Sequence, residues 1–458
     1  MSSDPIRYCS VGEVSRIGAS AHYLRLGPYG FLLDAGLDPQ AEAEFSVPDY
    51  ERIKNEPVHA ILITHAHLDH IGSLPVAIRY FPRARVYMTP ATADLTEHML
   101  RHHLYVSEKK ARERRIKFEP LYTDTYLESI RYLYQSFDYG VPFPLHGSGD
   151  KQLRFTFYDA GHILGSAGVL IEWRGRRFFY TGNTRRSAQF LLRGGKYPRQ
   201  VDVLITEATY GADEAAEKTS MRKEVARFAR LVAERLRFGG IVLIPVFALG
   251  RTQEMLTLLQ RLRMQDRLPA VPIYLTGFGL QINRIYDRLL HKIYPQYNHG
   301  TLRSMLFGRL KPGQRIQGPA VLLSTSGMMI PGSPSYGFAR ELAAEARNGI
   351  FFVGYADPET PGGLFQQGHL DRLKSMLGLE KIAARIERFY FSAHSHRREL
   401  LQMIAGMKPS QILLTHGEPQ ALHWMEQAIR RQMEEADVFI PRKGRWYELL
   451  NGPIGTTR

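Results

Sequence analysis

The chain has 458 residues, of which 44% are hydrophobic and 23% charged, a composition typical of a globular protein with roughly three domains. Its single cysteine, Cys9, excludes an intrachain disulfide and a cysteine-based zinc site, and it suits a reducing, cytoplasmic compartment. The N-terminus lacks an apolar signal core, and no apolar run approaches the ~18–20 residues of a membrane span. The net charge of +15 indicates either a solvated basic surface or a nucleic-acid ligand.

The first predicted elements are strands and turns over residues 6–36. Phe31-Leu-Leu-Asp-Ala-Gly36 is an apolar strand that ends in a carboxylate. Metal sites need such a carboxylate to fix the tautomer and direction of a ligand histidine, so Asp34 is a candidate for that supporting role. A turn residue before Gly36 is an equally good interpretation of Asp34 from this pattern alone.

A histidine-rich segment, His65-Ala-His-Leu-Asp-His70, follows the apolar run 58–64. The run predicts a buried strand, and Gly72 and Pro75 place the segment on a strand-to-helix loop. Imidazole nitrogens and carboxylate oxygens suit zinc, manganese or iron. The competing interpretation is a polar surface turn. The candidate ligands are His65, His67, Asp69 and His70.

A long helical stretch is predicted over residues 91–136. Residues 101–117 within it carry seven Lys or Arg and two Glu. A solvated helix face is the default interpretation of such a run.

Two loops that follow strands carry further candidate residues. His162 lies between glycines in Asp159-Ala-Gly-His-Ile-Leu-Gly165, where the backbone can bring its ring close to a metal. The strand 176–183 ends in Tyr180-Thr-Gly-Asn183, and residues 185–199 contain five Lys or Arg and no acid. A basic loop that follows directly after this strand favours an anionic substrate.

From residue 201 the pattern changes to alternating strands and helices. A buried strand ends in Glu207, a helix begins after the N-cap residue Ser220 and stops at Gly239-Gly240, and strand 241–247, helix 252–263 and strand 272–276 follow. This alternation predicts a parallel sheet with helices on its faces.

The histidine-rich segment resembles the first metal motif, HxHxDH, of the metallo-β-lactamase superfamily. Later segments closely resemble the β-CASP nucleases of that superfamily; they are Thr206-Glu-Ala-Thr-Tyr-Gly211, Ile244-Pro-Val-Phe-Ala-Leu-Gly-Arg-Thr-Gln-Glu254, Thr325-Ser-Gly-Met328, Phe352-Val-Gly-Tyr355, Phe391-Ser-Ala-His394 and Leu414-Thr-His-Gly-Glu418. The resemblance covers nearly the whole chain. It implies an α/β fold, a metallo-β-lactamase αββα sandwich with an inserted β-CASP domain of parallel-sheet type. The expected domain boundaries are 1–207 and 391–458 for the sandwich and 208–390 for the insertion.

The resemblance also implies the roles of the site residues. It places Asn183 where the family normally has an aspartate that bridges two metals. Asp69 would orient a zinc-bound hydroxide, and His394, supported by Glu207, would donate a proton to the phosphate or the leaving oxygen. Asp34 would support a ligand histidine. One Zn²⁺ would be held by His65, His67 and His162, and the second by Asp69, His70 and His416.

His416 points to RNA, because RNA-processing members of the family carry histidine there and DNA-repair members carry valine. His396 and the loop Thr276-Gly-Phe-Gly279 depart from the usual family residues. A turn with a buried methionine is an alternative to a phosphate loop around Gly327. The candidate substrate-binding residues are Arg185, Arg186, Arg251, Ser326 and Gly327.

Three functions remain open from the sequence. The first is a metal-dependent ribonuclease, endonucleolytic or 5′-exonucleolytic, that acts on single-stranded RNA and is weakened by Asn183. The second is a non-catalytic RNA-binding subunit. A DNA-processing β-CASP nuclease is an alternative to the ribonuclease. The third, a small-molecule hydrolase, is disfavoured by the inserted domain and the basic loops. No membrane partner is expected, and a homodimer is an open alternative to a monomer.

Overall fold

The computed structural model describes residues 5–38, 41, 43–293, 301–305, 310 and 315–450. In chain order its strands are β1 Ile6–Ser10, β2 His22–Leu26, β3 Tyr29–Leu33, β4 Ala60–Leu62, β5 Arg85–Met88, β6 Tyr134–Ser136, β7 Phe143–Pro144, β8 Arg154–Asp159, β9 Ala167–Trp173, β10 Arg176–Tyr180, β11 Val203–Glu207, β12 Ile241–Pro245, β13 Ile273–Thr276, β14 Ala320–Ser324, β15 Gly349–Phe352, β16 Arg385–Arg388, β17 Gln411–Thr415, β18 Asp437–Phe439 and β19 Trp446–Glu448.

The α-helices are α1 Leu68–Ile71, α2 Leu74–Tyr80, α3 Pro90–Arg114, α4 Asp124–Ile130, α5 Glu214–Lys218, α6 Met221–Arg237, α7 Arg251–Met264, α8 Gly279–Ile293, α9 Pro334–Leu342, α10 Pro361–Gln367, α11 Leu370–Leu377, α12 Arg397–Met407 and α13 Pro419–Gln432. Among the described residues, none of these helices combines the length and the apolar character that crossing a bilayer requires.

The chain divides into two compact units. The first contains Met1–Ala188, Arg193–Glu214 and His394–Arg458, and the second contains Gln189–Leu192 and Ala215–Ala393. The boundaries expected from the sequence, after residues 207 and 390, stay predictions.

Two seven-stranded sheets form the first unit, in the orders β19-β1-β2-β3-β4-β5-β6 and β18-β17-β11-β10-β9-β8-β7. They pack face to face, because Leu24 and Phe31 of one sheet share a buried core with Phe155 and Val169 of the other. On the outer face of the second sheet, residues such as Leu204 pack against α12 and α13. On the first sheet, α3 contacts β6, α1 and α4. The predicted αββα sandwich is confirmed.

The second unit is built on one five-stranded sheet in the order β13-β14-β12-β15-β16. All of its neighbouring strands pair in parallel, so the predicted parallel-sheet domain is confirmed. The Ser220 side chain caps α6 by accepting a hydrogen bond from the Lys223 backbone N–H. Gly239 follows that helix with φ = 72°, a conformation that glycine adopts without strain.

The predicted helical stretch over residues 91–136 is correct only in part, because it contains two helices, α3 and α4, that are separated by a break. The helix α3 ends at Arg114, and Arg115 takes the left-handed conformation with φ = 57°. Pro120 follows within a turn and a half, where its missing N–H and its ring are incompatible with a continuous helix. Residues 134–136 form the edge strand β6 rather than a helix.

Candidate metal centre

The candidate ligands lie at the carboxyl ends of strands in the first unit. β3 and β4 run parallel and end just before Asp34 and the loop that begins at His65. In the second sheet β10, β11 and β17 run parallel, and they end at or just before Asn183, Glu207 and His416. Since parallel strands end at the same edge of a sheet, the topology gathers these side chains at two facing sheet edges.

His65, His67 and His162 form the first group, in which one nitrogen of each ring lies within 4.8 Å of the others. His162 Nε2 is 3.1 Å from His67 Nδ1. The Nδ1 of His65 contacts the Thr64 hydroxyl at 3.0 Å, which directs Nε2 toward the other two rings. Three imidazoles that converge on one point form a typical set of zinc ligands.

The second group contains Asp69, His70 and His416, again with ligand atoms within 4.8 Å of one another. His416 Nε2 lies 3.2 Å from Asp69 Oδ2 and 3.3 Å from His70 Nε2. The His65 and His70 ring centroids are 4.1 Å apart, so the two groups are adjacent.

The pKa shifts of His65 in the first group and His70 in the second group have opposite directions. Burial and the neighbouring His70 lower the pKa of His65 well below its usual value, so this ring is neutral and able to ligate a cation. Burial also lowers the pKa of His70, but the Asp69 and Asp34 carboxylates raise it above its ordinary value overall. Burial raises the pKa of Asp69, and His70 and His416 more than reverse this. The carboxylates therefore create a negative potential that favours a cation at the second group.

Two buried polar atoms provide a direct test of whether these residues fit a metal. His65 Nε2 and Asn183 Oδ1 have no hydrogen-bond partner among the described residues, and their side chains are 0% and 2% exposed. An unsatisfied buried acceptor costs about 1–3 kcal/mol, so each is expected to find a partner. A divalent cation is a suitable partner for both acceptors, the imidazole nitrogen and the amide oxygen. The residues fit a metal on this evidence.

Asp34 is hydrogen-bonded to a residue of the second group. Its Oδ2 accepts a hydrogen bond from His70 Nδ1 at 2.7 Å, and its Oδ1 accepts one from the Thr64 backbone N–H at 2.7 Å. The Tyr180 hydroxyl donates to Oδ2 at 2.8 Å. Burial, reinforced by the nearby Asp34, raises the pKa of Tyr180 well above its usual value, so this hydroxyl stays a donor. The sequence interpretation missed the roles of Tyr180 and Thr64.

The hydrogen bonds around Asp34 extend further into the first unit, away from the two ligand groups. The Tyr180 hydroxyl contacts Ser20 Oγ at 3.1 Å, which contacts His22 Nε2 at 3.3 Å. Tyr8 is hydrogen-bonded to Nδ1 of the same ring at 2.8 Å. Burial lowers the pKa of His22 to about 3, so the ring is neutral. The buried chain of hydrogen bonds fixes the position of Asp34 and, through it, of His70.

His394 and Glu207 form a hydrogen-bonded pair beside the first group. His394 Nδ1 donates to Glu207 Oε2 at 2.8 Å, and the His394 ring lies 4.5 Å from the ring of His162. Burial alone raises the pKa of Glu207, but His394 and His416 hold it below its ordinary value, so the carboxylate is ionised. Thr209, which the sequence interpretation missed, donates its hydroxyl to Glu207 and contacts His416 Nδ1 at 3.2 Å.

Two residues of this centre have unusual backbone conformations. Asp34 and His416 have φ values of 61° and 51°, in the left-handed region that only a few per cent of residues other than glycine adopt. Such strain costs of order 1–3 kcal/mol and persists where the surrounding structure enforces it. Both residues lie directly after strands. Their backbone conformation turns their side chains toward the site at the point where the sheet ends.

The predicted substrate-binding arginines of the first unit have different surroundings. Arg185 is buried and forms an ion pair with Glu399 at 3.1 Å, and it donates to the His394 carbonyl at 2.9 Å. It is therefore placed to support the His394 loop. Arg186 is exposed and donates to the Gln402 side chain at 3.1 Å. Contact of either arginine with substrate stays a prediction.

The other three predicted substrate residues belong to the second unit. Arg251 is buried and donates to the Phe391 carbonyl at 2.6 Å. Ser326 Oγ accepts a hydrogen bond from the Met328 backbone N–H at 3.2 Å. A Cβ on Gly327 would lie 3.1 Å from the Phe247 backbone nitrogen, so this position needs a small residue for packing. Their roles toward substrate also stay predictions.

Three family models match consecutive parts of the chain. Residues 18–224 match the metallo-β-lactamase superfamily, residues 252–364 match the β-CASP domain, and residues 380–441 match the Zn-dependent metallo-hydrolase RNA specificity domain. The third region contains both His394 and His416.

Curated relatives match over nearly the whole chain. Transcription termination factor FttA of Pyrococcus abyssi is 30% identical over 93% of this chain and 69% of its own length. The FttA of Methanocaldococcus jannaschii is 29% identical over 95% of this chain and 70% of its own. Cleavage and polyadenylation specificity factor 73 of Drosophila melanogaster is 29% identical over 94% of this chain, which spans 63% of that protein.

Among solved structures, a protein of unknown function from Enterococcus faecalis V583 shares the fold. It aligns with a TM-score of 0.54 over 97% of this chain and 100% of its own, at 12% identity.

Proposed function

Because the chain belongs to the β-CASP branch of the metallo-β-lactamase superfamily, we propose that it is a metal-dependent ribonuclease that hydrolyses phosphodiester bonds of single-stranded RNA. The observation that carries this proposal is the pair of adjacent ligand groups next to the His394–Glu207 pair. Asn183 weakens the activity, because an amide replaces the carboxylate that the family normally has at this position.

Zinc is the metal that best suits the first group, since its three candidate ligands are imidazoles. His65, His67 and His162 would hold one ion, and Asp69, His70 and His416 the other, and the amide oxygen of Asn183, unpartnered within the described part of the chain, would be available as a further ligand. When bound, such an ion supplies a nucleophile at neutral pH by lowering the pKa of water, and it neutralises phosphate oxygens.

The protein residues then position the reactants and transfer protons. Asp69 is ionised because His70 and His416 hold its pKa down, so it accepts a hydrogen bond from the attacking water and orients it. Glu207 fixes the His394 ring through Nδ1 at 2.8 Å, which leaves proton transfer to the leaving oxygen to Nε2. Thr209 and Arg185 keep this pair in place.

RNA is the proposed substrate for two reasons. The region 380–441 matches a domain described as conferring RNA specificity, and the relatives include proteins named for cleavage and polyadenylation or for transcription termination. In addition, the net charge of +15 favours a polyanion.

Asn183 also favours a second candidate, a β-CASP subunit that binds RNA without cleaving it. The bridging position is the one departure from the expected ligand set, and the other six candidate ligands are present. A non-catalytic subunit has no need of a complete ligand set, so retention of the other six supports the enzyme over this alternative.

A comparison of RNA with DNA tests the substrate proposal. A 5′-labelled single-stranded RNA and the DNA of the same sequence are incubated with the zinc-loaded chain at two salt concentrations, and both binding and products are measured. We expect tighter RNA binding that weakens steeply with salt, because phosphate neutralisation releases counterions. Equal or tighter DNA binding at both concentrations would contradict the proposal and favour a DNA-processing enzyme.

A further inference from the structure

A basic groove lies along the open edge of the first sheet, beside β19. The groove is open to solvent and has a volume of about 1120 Å³. Glu448 is the one carboxylate among its lining residues. The groove is defined by Arg7, Arg52, Arg442, Lys443, Arg445 and Trp446.

Two arginines of the basic groove keep their charge uncompensated. Arg52 donates to the neutral carbonyl of Gly444 at 2.8 Å, and neither it nor Arg442 forms an ion pair with any carboxylate in the part of the chain that the structure describes. Both are exposed. Lys443 pairs with Glu13 at 2.6 Å, so the attraction for an anion is concentrated at the two arginines.

Trp446 adds an aromatic surface to these cations. Its indole is half-buried, with the Arg7 guanidinium 4.1 Å from the ring centroid and the Tyr23 ring meeting it edge-on at 5.6 Å. Cations that contact phosphates next to an aromatic side chain that contacts bases are the combination found in single-stranded nucleic-acid sites. This favours a nucleic acid over an acidic peptide.

The basic groove lies at the same end of the first sheet as the metal-ligand loops. Ser10 pairs with His22, and His22 pairs with Leu33, the residue just before Asp34. Gly444 in the groove donates its N–H to the Ser10 carbonyl at 2.7 Å. Three inter-strand spacings of ~4.8 Å separate β19 from β3, so the groove is displaced sideways by about 14 Å.

We propose that the basic groove binds the phosphate backbone of single-stranded RNA outside the segment held at the metal centre. The proposal rests on the proposed function for the identity of the polymer. It assigns phosphate contacts to Arg52 and Arg442, and a sequence-independent contact with bases to Trp446.

The test uses the full chain with two double charge reversals. Arg52→Glu with Arg442→Glu alters the groove. Arg83→Glu with Arg85→Glu makes the same change in net charge at exposed residues by the amino end of β5, the opposite end of the same sheet. Binding of labelled RNAs of about 5 and about 20 nucleotides is titrated at several salt concentrations. Melting temperature and metal content check that both variants fold.

We expect the groove variant to bind the longer RNA about 10-fold more weakly and to lose ~1.4 from the slope of log affinity against log salt, the value for two phosphate contacts to a single strand. The control variant should keep the wild-type slope. Equal slopes for the two variants, or competition by polyglutamate as strong as that by unlabelled RNA, would overturn the groove proposal. This readout needs no cleavage, so a chain that binds in this way but hydrolyses nothing would refute the proposed function alone.

Discussion

Asn183→Asp introduces a carboxylate at the proposed bridging position, and its effect on the second metal can be estimated. Asp69 is the one carboxylate among the six clustered ligands. A unit negative charge about 4 Å from a divalent ion gains roughly 8 kcal/mol at an effective dielectric of 20. Burial of the new carboxylate costs several kcal/mol, because position 183 is 2% exposed. The balance is about 3 kcal/mol, or ~100-fold tighter binding of the second metal.

The assay loads both proteins with zinc, removes excess by dialysis and measures metal per chain and the second dissociation constant by chelator competition. We expect the wild type to retain mainly one metal and the Asn183→Asp variant to retain two. The variant should also melt below the wild type without metal and above it with metal, since only the metal compensates the buried charge. Asn55→Asp, an exposed residue of the same unit, is the control. Two-metal occupancy of the wild type would refute the reasoning.

Three further predictions follow from the same geometry. His67→Ala should lower metal content with little change in the melting temperature, because His67 lies on a loop and is only partly buried; unchanged metal by elemental analysis would contradict its assignment. Tyr180→Phe removes a hydrogen-bond donor to Asp34. It should weaken metal binding by about 10-fold, measured by metal titration, and reduce the free energy of unfolding by about 1–2 kcal/mol, measured by urea denaturation. Unchanged metal affinity would show that the contact is dispensable. Burial raises the pKa of Cys9 to about 11, so about one thiol in a thousand is ionised at pH 8. Alkylation of the native chain at pH 8 should therefore be slow until urea unfolds it. Rapid alkylation of the native chain would contradict this burial.

The α/β architecture and four of the candidate ligands could be predicted because their signals are local. Four candidate ligands lie within six residues at His65–His70, and strand–helix alternation marks the parallel sheet. The assignment of His162, Asn183 and His416 depended instead on resemblance to the family, since each is a lone residue after a strand. The structure places His162 and His416 in the two groups.

The residues that support the ligands could not be predicted in this way. Tyr180 acts on Asp34 across 146 positions of the chain, and His22 is an inward-facing strand residue with no local motif. Thr209 lies two residues after Glu207, and the motif that carried the resemblance contains it, but its contact with His416 depends on the register between β11 and β17. The break in the helical stretch between α3 and α4 has a local cause, because Pro120 lacks an N–H and its ring is incompatible with a continuous helix.

We propose that this chain is a metal-dependent ribonuclease limited by Asn183. Single-turnover cleavage of a labelled single-stranded RNA by the Asn183→Asp protein, with zinc and then with a chelator, tests it most directly. We expect chelator-sensitive cleavage at least ~100-fold faster than that of the wild type, and loss of that cleavage when His394→Ala is added. Cleavage that survives the chelator, or no cleavage by a variant shown to hold two metals, would contradict it.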